Sequence, residues 1–306
     1  MNVIDGLKAF MYTAQTGSFT DAANRLGISN RLTSKYVAQL EDKIGARLLQ
    51  RTTRQVGLTP QGEALLARAP ALIAELDDLL GCASEDAKGL TGSLRISAPV
   101  TFGEMYISEM LGRFSAQHPN LSIDLRLNDS HVDLAAEGFD VAFRIGSPTL
   151  NTLKVRKLGT ITSVLVAEKQ YLQRMGEPRT PNELEHHICI QDTNMREASR
   201  WVFTKDNIEH VFHPSKNFTV NNARIAKRWA QNGLGITLCP SFLLQNNQGS
   251  DGSALVRLLP DYTMKTLPIC AVYLNGKVTP KKVRHLIDFA VQDFDDSKLS
   301  ACRLEN

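Results

Sequence analysis

The chain has 306 residues, 42% apolar and 22% charged, with 20 Gly, 12 Pro and 5 Cys. That is a globular composition, neither disordered nor fibrous, and the length suits two or three domains with a core each. No apolar run of about 18 residues is present, so no membrane span is expected. Asp5 and the missing basic-then-apolar opening argue against a secretory signal. Cys82, Cys189, Cys239, Cys270 and Cys302 form no C-x-x-C pair and no even framework. A reduced cytoplasmic chain is expected.

The net charge of +3 is unevenly placed. Residues 1–60 carry eight Lys/Arg against four Asp/Glu, whereas residues 61–306 carry 27 against 28. A basic head on a neutral body points to a polyanion at one end, unless the charge is only a solvated surface.

Ile4, Leu7, Phe10, Met11 and Ala14 recur at helical spacing, and Gly17 follows as a stop. Thr20 is placed to cap a second helix over 21–26, ended by Gly27. Ser29 is placed to cap a third over about 30–44, with Leu32, Val37, Leu40 and Ile44 inward and Gly45 as its stop. Two helices joined by a short Gly-containing link make a helix-turn-helix, whose second helix enters the major groove by its N-terminal residues. Those residues are Ser29, Asn30, Arg31, Thr33, Ser34 and Lys35. Asn suits adenine, Arg suits guanine, and the hydroxyls and Lys suit phosphates or either base. Residues 47–58 read as a hairpin with a basic tip, Arg51, Thr52, Thr53 and Arg54, which is a wing for backbone or minor-groove contact.

Three runs, G-S-F-T-D-A-A-N-R-L-G-I-S (17–29), S-K-Y-V-A-Q-L-E (34–41) and I-G-A-R-L-L-Q-R-T-T-R-Q-V-G-L-T-P-Q-G-E (44–63), resemble the winged helix-turn-helix of LysR-type transcriptional regulators. The resemblance implies binding to a pseudo-palindromic double-stranded operator. One departure falls on the reading helix: Asn30 and Arg31 stand where the family usually has Gln and Pro.

Thr59-Pro60 opens a connector helix. Its apolar residues fall at 65/66, 69, 72/73, 76 and 79/80, the spacing of a coiled-coil seam, with a bend expected at Pro70. The seam reads as a dimerisation helix, or as one packed on its own body; the resemblance favours the dimer and also implies tetramers and RNA polymerase as a further partner.

In the body, strands are expected at 93–97, 121–127 and 140–145, with a helix near 103–116 and a short one opened by Ser130-x-x-Asp133. Alternating strands and helices mean an α/β sheet with parallel pairs. The pattern restarts after about 160, with strands near 161–167, 187–190, 200–220 (a hairpin at Lys205-Asp-Asn) and 235–238. A strand at 268–274 and a helix at 280–294 follow. The runs L-R-I-S-A-P-V-T-F-G, D-L-A-A-E-G-F-D-V-A-F-R-I-G and N-G-L-G-I-T-L-C-P-S-F resemble the effector-binding domain of the same family, similar to periplasmic binding proteins. The expected organisation is a winged helix-turn-helix at 1–58, a linker helix at 59–90 and a two-lobed α/β domain at 91–306. Lobe I takes about 91–160 and 268–306, and lobe II about 161–267. The resemblance implies a small effector in the cleft between them.

Ligands in α/β sheets lie beyond the carboxyl ends of strands, and helix N-termini offer N–H groups to anions. This nominates Pro99, Val100, Thr101, Phe102, Asn128, Arg144, Asn221 and Asn222, with a carboxylate as one ligand class. Arg144 reads either as an anion partner or as structure, and Trp201 either as cleft or as core. No cofactor or catalytic constellation is expected: there is no P-loop and no G-x-S-x-G, and Gly233-Leu-Gly235 lacks a third glycine. His210-x-x-His213 lies in a strand-like segment, so a metal there is not expected. His186-His187 reads as a solvated loop pair. A solute-binding protein would leave the basic head unexplained, and an enzyme would need acid, base or nucleophile groups that the pattern does not offer.

Overall fold

The computed structural model describes residues 2–51, 56–70, 72, 73, 76, 89–130, 132–146, 153–195, 198–215, 218–244, 255–275 and 279–296. Thr52, Thr53, Arg54 and the last seam positions, 79 and 80, therefore lie outside the described residues.

The head begins with α1 (Val3–Thr16), α2 (Phe19–Leu26) and α3 (Asn30–Ile44). Gly17, Gly27 and Gly45 end them in the left-handed region, which L side chains rarely adopt. The cap of α2 is Ser18 rather than Thr20: the Ser18 hydroxyl accepts from the Asp21 N–H at 3.2 Å. Strands β1 (Leu49–Arg51) and β2 (Val56–Leu58) pair antiparallel, with Leu49 opposite Leu58. Phe10, Val37, Leu40, Leu48 and Leu49 close one core over the three helices and this hairpin. Ile44, expected inward, is 47% exposed.

Helix α4 (Pro60–Leu66) starts at the Thr59 cap with Pro at its first turn. A turn at Ala67 and Arg68 interrupts it just before Pro70, which has no N–H to continue the ladder. Leu66, Ala69 and Ile73 of the expected seam are buried in the head's own structure, while Leu72 is 57% exposed. Gly62 sits so close to the wing that an added Cβ would meet the Leu48 carbonyl oxygen.

The body holds two five-stranded mixed sheets. The first is built from β3 (Gly92–Ala98), β4 (Leu121–Leu127), β5 (Val141–Ile145), β6 (Leu153–Ile161) and β15 (Leu267–Leu274), in the order β4-β3-β5-β15-β6. Strand β3 is parallel to β4 and β5, the signature of crossover helices. Helix α5 (residues 100–117) makes the first crossover and contains a π segment, Gly103–Ile107. The second crossover holds α6 (Leu134–Glu137), and its cap is Asp133, not Ser130: Asp133 accepts from the Ala135 and Ala136 N–H groups. Helix α9 (Lys281–Asp296) covers the same sheet.

The second sheet runs β11-β8-β12-β7-β13, from β7 (Ser163–Glu168), β8 (Cys189–Asp192), β11 (Phe218–Val220), β12 (Ile236–Pro240) and β13 (Leu255–Leu258). Helix α7 (Lys169–Met175) follows β7, and α8 (Ala223–Gln231) follows β11. A three-stranded sheet flanks it: β9 (Trp201–Lys205), β10 (Ile208–Phe212) and β14 (Thr263–Met264). The β9–β10 turn places Asp206 and Asn207 at φ 51° and 62°. Two successive positive φ values match the right-handed strand twist, which is why Asp-Asn stands there. The chain passes between the two large sheets at Ile161–Ser163 and again between Met264 and Leu267.

Candidate functional site: a DNA-reading helix and an inter-lobe cleft

On α3, Ser29, Asn30, Arg31 and Lys35 are exposed and Ser34 is half-buried. Ser29 is the N-cap, its hydroxyl accepting from the Leu32 N–H. The Asn30 amide donates to the Thr20 hydroxyl at 2.9 Å, tying the reading helix to α2. Thr33 departs from the expected set. It is fully buried and its hydroxyl donates to the Ser29 carbonyl, so it holds the helix start rather than facing outward. Of the wing tip, only the Arg51 backbone in β1 is described.

Glu41 organises this surface from beneath. Its carboxylate accepts from the Leu48 N–H (2.8 Å), the Leu49 N–H (3.1 Å) and the Arg47 guanidinium (2.8 Å), so it carries the start of the wing on α3. Burial alone would push its pKa up; the two backbone N–H groups and Arg47 outweigh burial and leave it lowered.

The nominated cleft residues cluster at strand ends. Pro99 and Val100 are half-buried, Thr101 and Phe102 buried, all at the start of α5. The Phe102 and Tyr106 rings of the first lobe meet Phe242 of the second, centroids 5.6 and 5.7 Å apart. A Glu104–Arg224 ion pair at 2.8 Å is a second bridge between lobes.

Several nominees serve the framework. Asn128 accepts from the Ser130 N–H, and Asn222 caps α8. Arg144 donates to the Phe143 carbonyl, the Ser97 hydroxyl and the Ser130 carbonyl, and burial pulls its pKa down. Trp201 lies 1% exposed in the second lobe's core with Leu165 and Phe203. Asn221 is exposed and lends its carbonyl to Asn194.

Residues not nominated supply the polar centre. Asp129 accepts from the Val100 N–H at 3.0 Å and from the Asn194 amide of the opposite lobe at 2.9 Å. The Asn194 N–H donates to Asp192 at the end of β8. Asp192 is buried, and that burial, with the nearby Asp129 charge, lifts its pKa to about 6. The signal for Asp129 was strand parity: neighbours on an extended chain point to opposite sides, and here Asn128 turns to the Ser130 N–H while Asp129 turns to α5.

His187 is buried against the Tyr171 hydroxyl rather than solvated, and only His186 is exposed. Burial holds the Cys189 and Cys239 thiols at pKa about 12, far from the reactive thiolate range. Among the described residues no group of three His, Cys, Asp or Glu is placed to hold a metal, and no helix is long and apolar enough to cross a membrane.

A recognition helix and wing on a two-lobed α/β domain define a DNA-binding regulator with a small-molecule sensor. Residues 4–63 match the model of the bacterial regulatory helix-turn-helix protein, lysR family, and residues 87–295 match the LysR substrate binding domain. The chain belongs to the LysR family of transcriptional regulators. It is 35% identical over 283 residues to an uncharacterized HTH-type transcriptional regulator of Haemophilus influenzae, covering 92% of this chain and 98% of that one. It is 32% identical to the regulator PtxR of Pseudomonas aeruginosa, covering 93% and 91%. Among solved structures it resembles the full-length Vibrio cholerae virulence activator AphB (28% identity, TM-score 0.59, 94% and 98% covered). It also resembles CrgA of Neisseria meningitidis (27%, TM-score 0.61, 95% and 98%). These relatives are regulators, not enzymes.

Proposed function

We propose that this regulator reads a pseudo-palindromic operator as a homodimer or as a homotetramer of two such dimers. Ser29, Asn30, Arg31, Ser34 and Lys35 work in the major groove, and Arg51 to Arg54 on the flanking backbone. The observation that carries this is the exposure of Asn30, Arg31 and Lys35 at the start of α3. The exposed Leu72 on the connector supports dimerisation through residues 59–90. We assign 1–58 to DNA reading and 91–306 to effector sensing in the cytoplasm, with RNA polymerase as the downstream partner.

Arg31→Ala should change which operators are preferred, by about 1–3 kcal/mol at one base position, whereas Arg54→Ala should weaken all DNA alike. Competition binding with systematically varied duplexes checks this. Equal losses on operator and random DNA for both variants would refute the division of labour.

The effector is placed in the cleft beside Thr101, Asp129 and Asn221, and a small organic carboxylate is the class we favour. Thr101 supports this reading by its place: it follows Val100, whose N–H meets Asp129, at the start of α5. Thr101→Val should blunt the effector response while leaving operator affinity within about twofold, since the swap removes the hydroxyl but keeps the branched shape and leaves the head untouched. Reporter induction and gel-shift titration separate the two; joint loss would make Thr101 a structural residue.

A further inference from the structure

The first turns of α2 and α3 are joined by one side-chain bond: the Asn30 amide nitrogen donates to the Thr20 hydroxyl at 2.9 Å. Neither side chain is needed to close its own helix. Ser18 caps α2, its hydroxyl accepting from the Asp21 N–H, and Ser29 caps α3, accepting from the Leu32 N–H. Both Thr20 and Asn30 are exposed. Water offers two such groups equivalent partners, so their bond adds little to stability. Its consequence is direction. The backbone beneath Asn30 is held by the Ser29 cap and by the Thr33 hydroxyl on the Ser29 carbonyl. What stays free is the terminal torsion of the Asn30 amide, which is broad and roughly two-fold.

The chemistry of the hydroxyl selects between the two orientations. A threonine hydroxyl has one proton and two lone pairs, so it meets an amide either by donating to the oxygen or by accepting from the nitrogen. In helix-turn-helix docking the first helix crosses the DNA backbone while the second enters the groove. A phosphate oxygen only accepts. Against a phosphate, Thr20 gives up its one proton and keeps its lone pairs for the Asn30 N–H, the arrangement already present in the structure. The second N–H and the carbonyl oxygen of Asn30 are then left for the groove. They form a donor–acceptor edge that matches N7 and N6 of adenine.

We propose that Thr20 is a positioning residue for base reading: it donates to a backbone phosphate and so locks the Asn30 amide in its adenine-reading orientation. This rests on the reading of α3 as the recognition helix. The base preference set at residue 30 thus depends on a residue of the other helix, ten positions earlier, that touches no base. Arg31 takes no part in this bond, and its base position serves as the internal control.

The test uses the full-length chain, a duplex that it selects from a randomised pool, and every single-base variant of that duplex. Asn30→Ala should flatten discrimination at one base pair of each half-site by at least about fivefold. Thr20→Val removes the hydroxyl and keeps the branched shape. It should lower discrimination at the same base pair by about two- to tenfold, the worth of one neutral hydrogen bond. The base pair that Arg31→Ala alters should stay as it is. Thr20→Ser should restore the profile, and Thr20→Val should change discrimination no further in an Asn30→Ala background. Thr20 is uncharged, so the slope of log affinity against log salt should not move. A loss equal for every duplex would make Thr20 a plain backbone contact and overturn the proposal. So would a profile changed at base pairs that Asn30→Ala leaves alone, an undiminished Thr20→Val effect in the Asn30→Ala background, or an Asn30→Ala profile like that of the unsubstituted chain. If Thr20→Val does not fold, Thr20→Ala carries the same comparison. The recognition-helix reading fails separately, if Arg31→Ala also leaves every base preference intact.

Discussion

Glu41→Ala should abolish operator binding and lower the stability of the head by about 2–6 kcal/mol, the cost of leaving two buried backbone donors without an acceptor. The side chain is 5% exposed and is the acceptor for two buried N–H groups, those of Leu48 and Leu49. Alanine leaves both without an acceptor at the point where the chain enters the wing, and each orphaned donor costs about 1–3 kcal/mol. Arg47, which is exposed, loses only its ion pair and contributes little to the total. Glu41→Gln keeps one carbonyl oxygen for Leu48 and Leu49 and should recover part of the loss. Calorimetry of the full chain should show the lowest-temperature transition falling in Glu41→Ala while later transitions hold; an unchanged first transition would refute the role. The pH dependence has a definite sign. The folded pKa of Glu41 lies below its ordinary value of 4.5, so its charge adds stability that is fully present above that pH. That stability is lost as pH falls through the lowered folded value. The gap between the unsubstituted protein and Glu41→Gln should therefore close in acid.

Trp201→Ala should destabilise the second lobe by about 3–5 kcal/mol, the ordinary range for emptying a large aromatic site in a core. Trp201 packs with Leu165, Phe203 and Leu238, and its ring centroid lies 6.0 Å from Phe212 on the paired strand. Trp201→Phe should cost less and leave the effector response in place. Urea unfolding followed by proteolysis of the lobe checks the first statement, and a reporter titration the second. A response altered in Trp201→Phe at unchanged stability would instead give the indole a place against the ligand.

The head shows how far pattern reaches. The bounds of α3, from Ser29 to Gly45, follow from a capping hydroxyl and a glycine, both local signals, and the structure keeps them. Thr33 and Ile44 were misplaced because helical spacing gives a stripe but not its exact orientation. The turn of α3 over α1 buries Thr33, whose hydroxyl is spent on the Ser29 carbonyl, and leaves Ile44 at the rim. The caps of α2 and α6 slipped for a related reason. Ser18 and Thr20, like Ser130 and Asp133, are all capping types, and only the backbone conformation decides which side chain meets an open N–H.

The cleft was legible as a set of strand ends but not as a set of side chains. Leu127–Asp129 was visible as one such end, yet the alternation past β4 decides that Asn128 makes a local turn and Asp129 reaches α5. Asn194 lies in a loop without periodicity, so nothing short of folding brings it to Asp129, 65 positions away.

The sequence by itself determined the division into a basic head and a neutral body, the helix-turn-helix with its wing, and the parallel α/β pattern. Charge counts, caps and hydrophobic periods are properties of neighbours along the chain. Only the tertiary structure decided that Glu41 holds the wing, that Trp201 is core, and that Asp129 rather than Asn128 joins the two lobes. Each of those is a hydrogen bond or a packing contact between segments far apart in sequence, where direction in space and exclusion from water set the partner, and residue type alone does not.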